Sequence, residues 1–144
     1  SQKVITVKDE EHKFSYRHSL FADNHELIVL STTMRLAEGN AEEIFAKMNK
    51  NMTSRKEKQP LELPNAGSTF KRPGENIFVG KLIEDAGLKG YSVGGAQISE
   101  KHAGFIVNLG NARARDVLAL EDVIRKAVNE RFGVELEREI IFID

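Results

Sequence analysis

Apolar residues recur at helical spacing in two long stretches and cluster into short β-favouring runs around them. After Gly39-Asn40, Ile44, Met48 and Met52 stand at i, i+4 and i+8. Asn40 suits an N-cap and Glu43 follows three residues later, so the pattern predicts a helix from about Ala41 to Lys56. The longest helix pattern runs from Arg113 to Arg131. Val117, Leu120, Ile124, Ala127 and Val128 form its buried stripe, and Gly133 supplies a C-terminal cap. A shorter helix is predicted from Phe78 to Ala86, closed by Gly87.

Strand-like runs fill the rest. Val4–Val7 is short and β-rich, Asp9–His12 is a polar turn, and Phe14–Phe21 mixes aromatics with Arg17 and His18. Leu27–Leu36 starts as a continuous apolar run and suits a strand buried on both faces for part of its length. Tyr91–Ser99 reads as a glycine-interrupted strand, Gly104–Leu109 as an apolar strand, and Leu136–Ile143 as a final strand. The order of elements predicts an α+β fold rather than a regular βαβ array. Glu38–Asn40 is the best internal boundary, dividing an all-β opening from a mixed remainder.

Composition narrows the class. The chain has 144 residues, 40% hydrophobic and 30% charged, which suits one ordinary globular domain. Its net charge of −1 gives no global attraction to nucleic acid or an anionic membrane, so any anion site must be local. The absence of cysteine excludes a disulfide framework, a thiolate metal site and a cysteine nucleophile. No apolar run approaches membrane-spanning length. The chain opens on a strand pattern without methionine or signal-peptide character. Such a chain is either cut from something longer or carries a few appended residues, and both readings stay open here.

The densest chemistry lies between Pro64 and Pro73, in Pro-Asn-Ala-Gly-Ser-Thr-Phe-Lys-Arg-Pro. The run places the Ser68 hydroxyl after a glycine and shortly before Lys71 and Arg72. It reads as a loop that suits a small polar site meeting an anionic ligand, although spacing alone equally gives a turn serine bonded to nearby backbone. Several chemistries are disfavoured. Ala-Gly-Ser-Thr-Phe is not a nucleophile elbow. His12, His18, His25 and His102 share no metal-ligand spacing. Gly94-Gly95 lacks a dinucleotide fingerprint and reads as a bulge or a close backbone approach. Aromatics at 7% and balanced charge argue against nucleic-acid binding. What remains is a proton donor with charged partners: a guanidinium stabilising a carboxylate or enolate, and a carboxylic acid donating to the same charge. Spacing alone does not select which arginine or glutamate.

Seven blocks occur in a recognisable order: Tyr16-Arg17-His18-Ser19-Leu20-Phe21, Arg55–Glu62, Gly67–Pro73, Gly80–Gly90, Gly94–Ser99, Lys101–Phe105 and Gly133–Ile140. With them the chain resembles the C-terminal part of the UDP-N-acetylenolpyruvoylglucosamine reductases (MurB, UDP-N-acetylmuramate dehydrogenase), of the shorter type. The resemblance implies a cytoplasmic, FAD- and NADPH-dependent oxidoreductase of peptidoglycan precursor synthesis that reduces UDP-N-acetylglucosamine enolpyruvate. It implies that Ser68 protonates the α-carbon of an enolate, that Arg17 holds the substrate carboxylate, and that Glu139 assists the same charge, with Glu137 and Glu135 as rivals. It implies that Lys58, Arg72 and His102 face the nucleotide-sugar, the two cations meeting its phosphates.

On the same basis, residues 1–38 are expected to be the last strands of a flavin-binding domain and 39–144 a substrate-binding domain. The final strand, 136–143, is expected to pack toward the absent flavin half. The family's glycine-rich flavin loops lie before everything present here, so this chain by itself is expected to bind neither FAD nor NADPH and to be inactive. Its partners are expected to be the UDP-sugar and the N-terminal FAD-binding domain, with no nucleic acid and no membrane. The alternative reading is a non-catalytic nucleotide-sugar or anion-binding module.

Overall fold

Leu120, Ile124 and Val128 are fully shielded on one stripe of a 19-residue helix, and the core is built against them. A computed structural model describes residues 3–143; expectations touching Ser1, Gln2 and Asp144 lie outside the described residues. The elements are α1 (Leu20–Asp23), α2 (Ala41–Lys58), β1 (Asn65–Ser68), α3 (Val79–Asp85), β2 (Ser92–Val93), β3 (Ala96–Ile98), β4 (Phe105–Asn108) and α4 (Ala114–Phe132), with a 3-10 turn at Asp9–His12. The architecture is α+β. The chain divides into two units after Gly39.

In the second unit the strands form an antiparallel sheet in the order β1-β4-β3-β2. Helices α3 and α4 pack on each other, and α4 also covers β2 and β3. The core joins Ile83 of α3, Ala96 and Ile98 of β3 and Ile106 of β4 to the α4 stripe. Each such aliphatic side chain contributes about 1.5–3 kcal/mol through burial. Helix α4 starts where the Arg113 N–H donates to the Asp116 carboxylate at 2.9 Å, and ends at Gly133, whose φ of 66° only glycine adopts readily.

Five sequence expectations change. Tyr91–Ser99 is a hairpin, not one strand: Ser92 pairs with Gln97 and Val93 with Ala96, so Gly94-Gly95 is its two-residue turn. Gly94 takes φ +55°, as such tight turns require. The close backbone approach expected of the pair is real. A Cβ on Gly95 would stand 2.4 Å from the Ala112 nitrogen.

Pro64–Pro73 is not simply a loop, because its first half is β1, paired with β4. The run 136–143 is not a regular strand. It makes one bridge, Phe70 to Arg138, and its end leaves Ile141 and Ile143 exposed. Val4–Val7 and Leu27–Leu36 are not strands either. Ile28, Val29, Leu30 and Met34 are exposed, and a strand needs a hydrogen-bonded neighbour that this segment does not have among the described residues.

Helix α2 forms where the sequence places it. Asn40 caps it as the pattern predicts, its side chain accepting the Glu43 N–H at 3.1 Å. The apolar stripe is nonetheless bare: Ile44, Met48 and Met52 are 48%, 57% and 50% exposed, and the helix buries no residue.

Candidate functional site

Ser68 sits where β1 departs from regular pairing. Asn65 faces Val107 and Ser68 faces Phe105, so β1 spends one residue more than β4 between the two pairs, a β-bulge. Gly67 absorbs the irregularity at φ +85°. The Asn65 side chain braces it: Oδ1 accepts the Gly67 N–H at 2.9 Å, while Nδ2 donates to the Pro60 and Leu63 carbonyls at 3.0 and 2.8 Å. Bulges of this kind re-aim the side chain that follows. Here that side chain is Ser68, which is exposed, whereas Thr69 and Phe70 are buried.

Two segments converge on this end of the sheet. On one side the Thr69 N–H donates to the Gly104 carbonyl at 2.9 Å, drawing in the turn before β4 that carries His102. On the other side the Glu139 N–H donates to the Thr69 carbonyl at 2.9 Å and the Lys71 N–H to the Glu137 carbonyl at 2.8 Å. Ser68, His102 and Glu139 are thus on three neighbouring stretches of backbone. One carboxylate oxygen of Glu139 is shielded from solvent. The Glu137 carboxylate is exposed and pairs with the Lys71 ammonium. Lys71 thus has a partner from the far end of the sequence.

His102 is held tightly. Its N–H donates to Ser99 Oγ at 3.2 Å, and its ring Nδ1 accepts the Gly104 N–H at 3.1 Å. Accepting at Nδ1 leaves the ring proton on Nε2. The ring meets Phe105 edge-on at 4.9 Å, and Gly80 of α3 leaves room for it, since a Cβ there would come within 3.1 Å of His102 Cε1. The preceding residue, Lys101, pairs with Glu62 at 3.2 Å. Glu62 is held below the usual carboxylate range by its own backbone N–H first and by Lys101 second. That pair ties the His102 turn to the segment leaving α2, whose last residue is the exposed Lys58.

Arg72 is exposed, with its guanidinium 4.7 Å from the Phe78 ring centroid and one N–H donating to the Glu75 carbonyl at 3.4 Å. Arg17 belongs to the first unit. It lies in a tight turn closed by reciprocal Ser15–His18 backbone bonds of 3.1 and 3.2 Å, at φ +52°, a conformation uncommon outside glycine. Its guanidinium is 5.9 Å from the Tyr16 ring. Within the second unit the backbone stretches that carry Ser68, His102 and Glu139 are hydrogen-bonded neighbours through Thr69 and Gly104.

Two further places in the second unit have the outline of a ligand site. A cleft of about 250 Å³ lies between Pro64, Asn65, Ala66, Thr69, Ile106, Val107, Asn108, Val117 and Ile140. It is mostly apolar and holds none of the six candidate residues. Gly94-Gly95 is no phosphate cradle: the space beside Gly94 is filled by the Asp116 carboxylate, 2.6 Å from where a Cβ would stand. The Gly94-Gly95 turn therefore does not fit a flavin pyrophosphate.

Comparison with known proteins decides the family. The sequence profile of the "UDP-N-acetylenolpyruvoylglucosamine reductase, C-terminal domain" family matches residues 59–143. The chain belongs to that family. It is similar to the reductase of Caldanaerobacter subterraneus subsp. tengcongensis, 55% identical over 97% of this chain and 46% of that protein. It is similar also to the reductase of Thermotoga maritima, 56% identical over 88% of this chain and 44% of that protein. Among solved structures, that of the Thermus caldophilus reductase (MurB) superposes with a TM-score of 0.70 at 40% identity, over 90% of this chain and 46% of that one. The chain therefore spans just under half the length of the relatives it matches.

Sequence reasoning missed Asn65 as a brace and gave no role to Glu121 or Arg138. The spacing Asn-x-Gly, in which a side-chain amide accepts from the backbone two residues on, was the available signal for the first. The second pairing is non-local and left no local sign.

Proposed function

We propose that this chain is the substrate-binding C-terminal part of a UDP-N-acetylmuramate-forming reductase, acting on UDP-N-acetylglucosamine enolpyruvate in peptidoglycan precursor synthesis. The observation that carries the reading is the convergence of Ser68 and Glu139 across Thr69. Ser68 gives a proton to the α-carbon once hydride has reached the β-carbon, and the Glu139 carboxyl supports the enolate charge. Arg17 holds the substrate carboxylate, while Lys58, Arg72 and His102 face the nucleotide-sugar. Glu137 and Glu135 are the rivals for the role given to Glu139. FAD and NADPH belong to the full-length cytoplasmic enzyme, and residues 1–38 to the flavin-binding part. The final segment carries Glu139 on the side of that part. By itself this chain binds the UDP-sugar weakly at best and reduces nothing. No described helix is long and apolar enough to cross a membrane.

The test is Ser68→Ala in the full-length reductase that carries this segment. NADPH oxidation dependent on the UDP-sugar should fall by a factor of about 10² or more, the usual contribution of a positioned proton donor. Parental turnover would remove Ser68 from that role. The alternative, a non-catalytic anion-binding module, would instead leave UDP-sugar binding intact and show no turnover in any full-length form.

A further inference from the structure

Glu121 is a carboxylate with no exposed surface, set among the apolar residues of α4 beside Leu120 and Ile124. Its partner comes from the end of the chain. Arg138 Nε and Nη2 both reach Glu121 Oε2, at 2.7 and 2.5 Å. Glu121 Oε1 accepts no hydrogen bond among the described residues. Such a pair is a poor way to gain stability, since apolar residues of similar volume usually serve as well or better. Its use must lie in what it fixes.

What it fixes is the stretch carrying Glu139. Arg138 forms the bridge with Phe70, flanked by the Lys71–Glu137 and Glu139–Thr69 backbone bonds. A single bridge holds register weakly, and the residues beyond it are exposed at Ile141 and Ile143. Side chains alternate along such a stretch, so Arg138 pointing to α4 turns Glu139 the other way. A slip of one residue would reverse both. We propose that Glu121 and Arg138 are positioning residues whose buried ion pair locks the register of the terminal segment and thereby fixes the face on which Glu139 is presented to the substrate. The proposal rests on the reading given above, in which Glu139 supports the substrate charge.

Arg138→Met alone would strand a buried carboxylate and risk unfolding, so the informative variant is Glu121→Leu with Arg138→Met. In the full-length reductase this double variant should melt close to or above the parent. It should lose about 10–100-fold in kcat with KM for the UDP-sugar unchanged, the signature of misplacement rather than lost binding. In a Glu139→Gln background the same pair of changes should cost nothing more, because it acts through Glu139. Glu121→Gln, which keeps an acceptor for Arg138, should hold kcat within about threefold of the parent. In the 144-residue chain the Glu139 amide should exchange faster with solvent in the double variant. Parental kcat in the double variant, or a loss that multiplies onto that of Glu139→Gln, would overturn the positioning role while leaving Glu139 in place. Parental kcat in Glu139→Gln alone would overturn the role of Glu139 and the proposal with it. If the double variant does not fold, Arg138→Lys replaces it, and undiminished kcat there overturns the proposal.

Discussion

The Asn65 side chain accepts the Gly67 N–H at 2.9 Å and holds the residue before Ser68 at φ +85°. A neutral amide three residues upstream of Ser68 thereby braces the backbone that leads to the hydroxyl. The same amide donates to Pro60 and Leu63, so the brace is anchored in the turn that leaves α2.

That geometry predicts an ordered series at Gly67. No atom lies within 4 Å of a Cβ placed there, so substitution meets backbone strain and not a clash. Left-handed backbone costs most side chains about 1–2 kcal/mol, and asparagine less. In the full-length reductase, kcat should fall in the order Gly, Asn, Ala, Val. Thermal stability should follow the same order by a few degrees. Equal kcat in Ala and Val variants with a lowered Tm would show that the bulge serves stability and not the aim of Ser68.

How much of this could be read beforehand depends on how local each signal is. Helices α3 and α4 and strand β4 were legible because their apolar periodicity, glycine ends and length are local properties. Helix α2 was legible from its Asn40 cap, but its bare stripe was not, since whether Met48 finds a neighbour is decided elsewhere in space. Leu27–Leu36 misled in the opposite way, having strand composition without an edge to pair with. Strand β1 was hidden because Pro-Asn-Ala-Gly-Ser has little β propensity and is held by Phe105 and Val107. In the site, spacing showed Ser68 only as a hydroxyl near two cations, and the role expected of it came from the family resemblance. The partner of Lys71 lies 66 residues away, so that pairing left no local sign.

Arg72 gives a second prediction. Its guanidinium rests over Phe78 and makes one long bond to Glu75, leaving most of its donors for a ligand. A charge-assisted contact to a phosphate is worth about 1.5–3 kcal/mol, or roughly 10–100-fold in affinity. Calorimetric titration of UDP-N-acetylglucosamine enolpyruvate into the full-length protein should show that loss for Arg72→Ala. Lys71→Ala should change affinity little, because its ammonium is paired with Glu137. Equal losses at both positions would contradict the division of labour.

Asp116 links the hairpin to α4 and predicts a pH dependence. Its carboxylate accepts from the Arg113 N–H at 2.9 Å and from the Gly95 N–H at 3.4 Å, and its side chain is 14% exposed. These contacts, the Arg113 N–H foremost, hold it below the ordinary aspartate range, against the opposing effect of partial burial. A carboxyl depressed in the folded state binds fewer protons there than in the unfolded chain, so its stabilisation is complete above the unfolded value and fades as pH falls. Asp116→Asn should therefore lower Tm at pH 7, and the gap from the parent should narrow below about pH 4. A gap that stays constant down to pH 2.5 would show that the charge of Asp116 is not what matters.

The hairpin turn itself offers the sharpest test of packing. Gly95 is buried, and a Cβ on it would stand 2.4 Å from the Ala112 nitrogen and 2.6 Å from the Asn111 carbonyl carbon. Those are backbone atoms at the entry to α4 and cannot rotate away. Relief would require the turn to lift off the helix, which would loosen the Gly95–Asp116 bond and the Leu109 N–H bond to the Gly95 carbonyl at 2.9 Å. Gly95→Ala should accordingly cost about 1–3 kcal/mol or more, as overpacking at a rigid contact does. Gly110→Ala is the control, since nothing lies within 4 Å of its Cβ and only its φ of +129° opposes substitution. Urea unfolding of the 144-residue chain should rank Gly95→Ala as the less stable of the two. The reverse order would mean that backbone conformation, not the approach of the turn to α4, dominates at this end of the sheet.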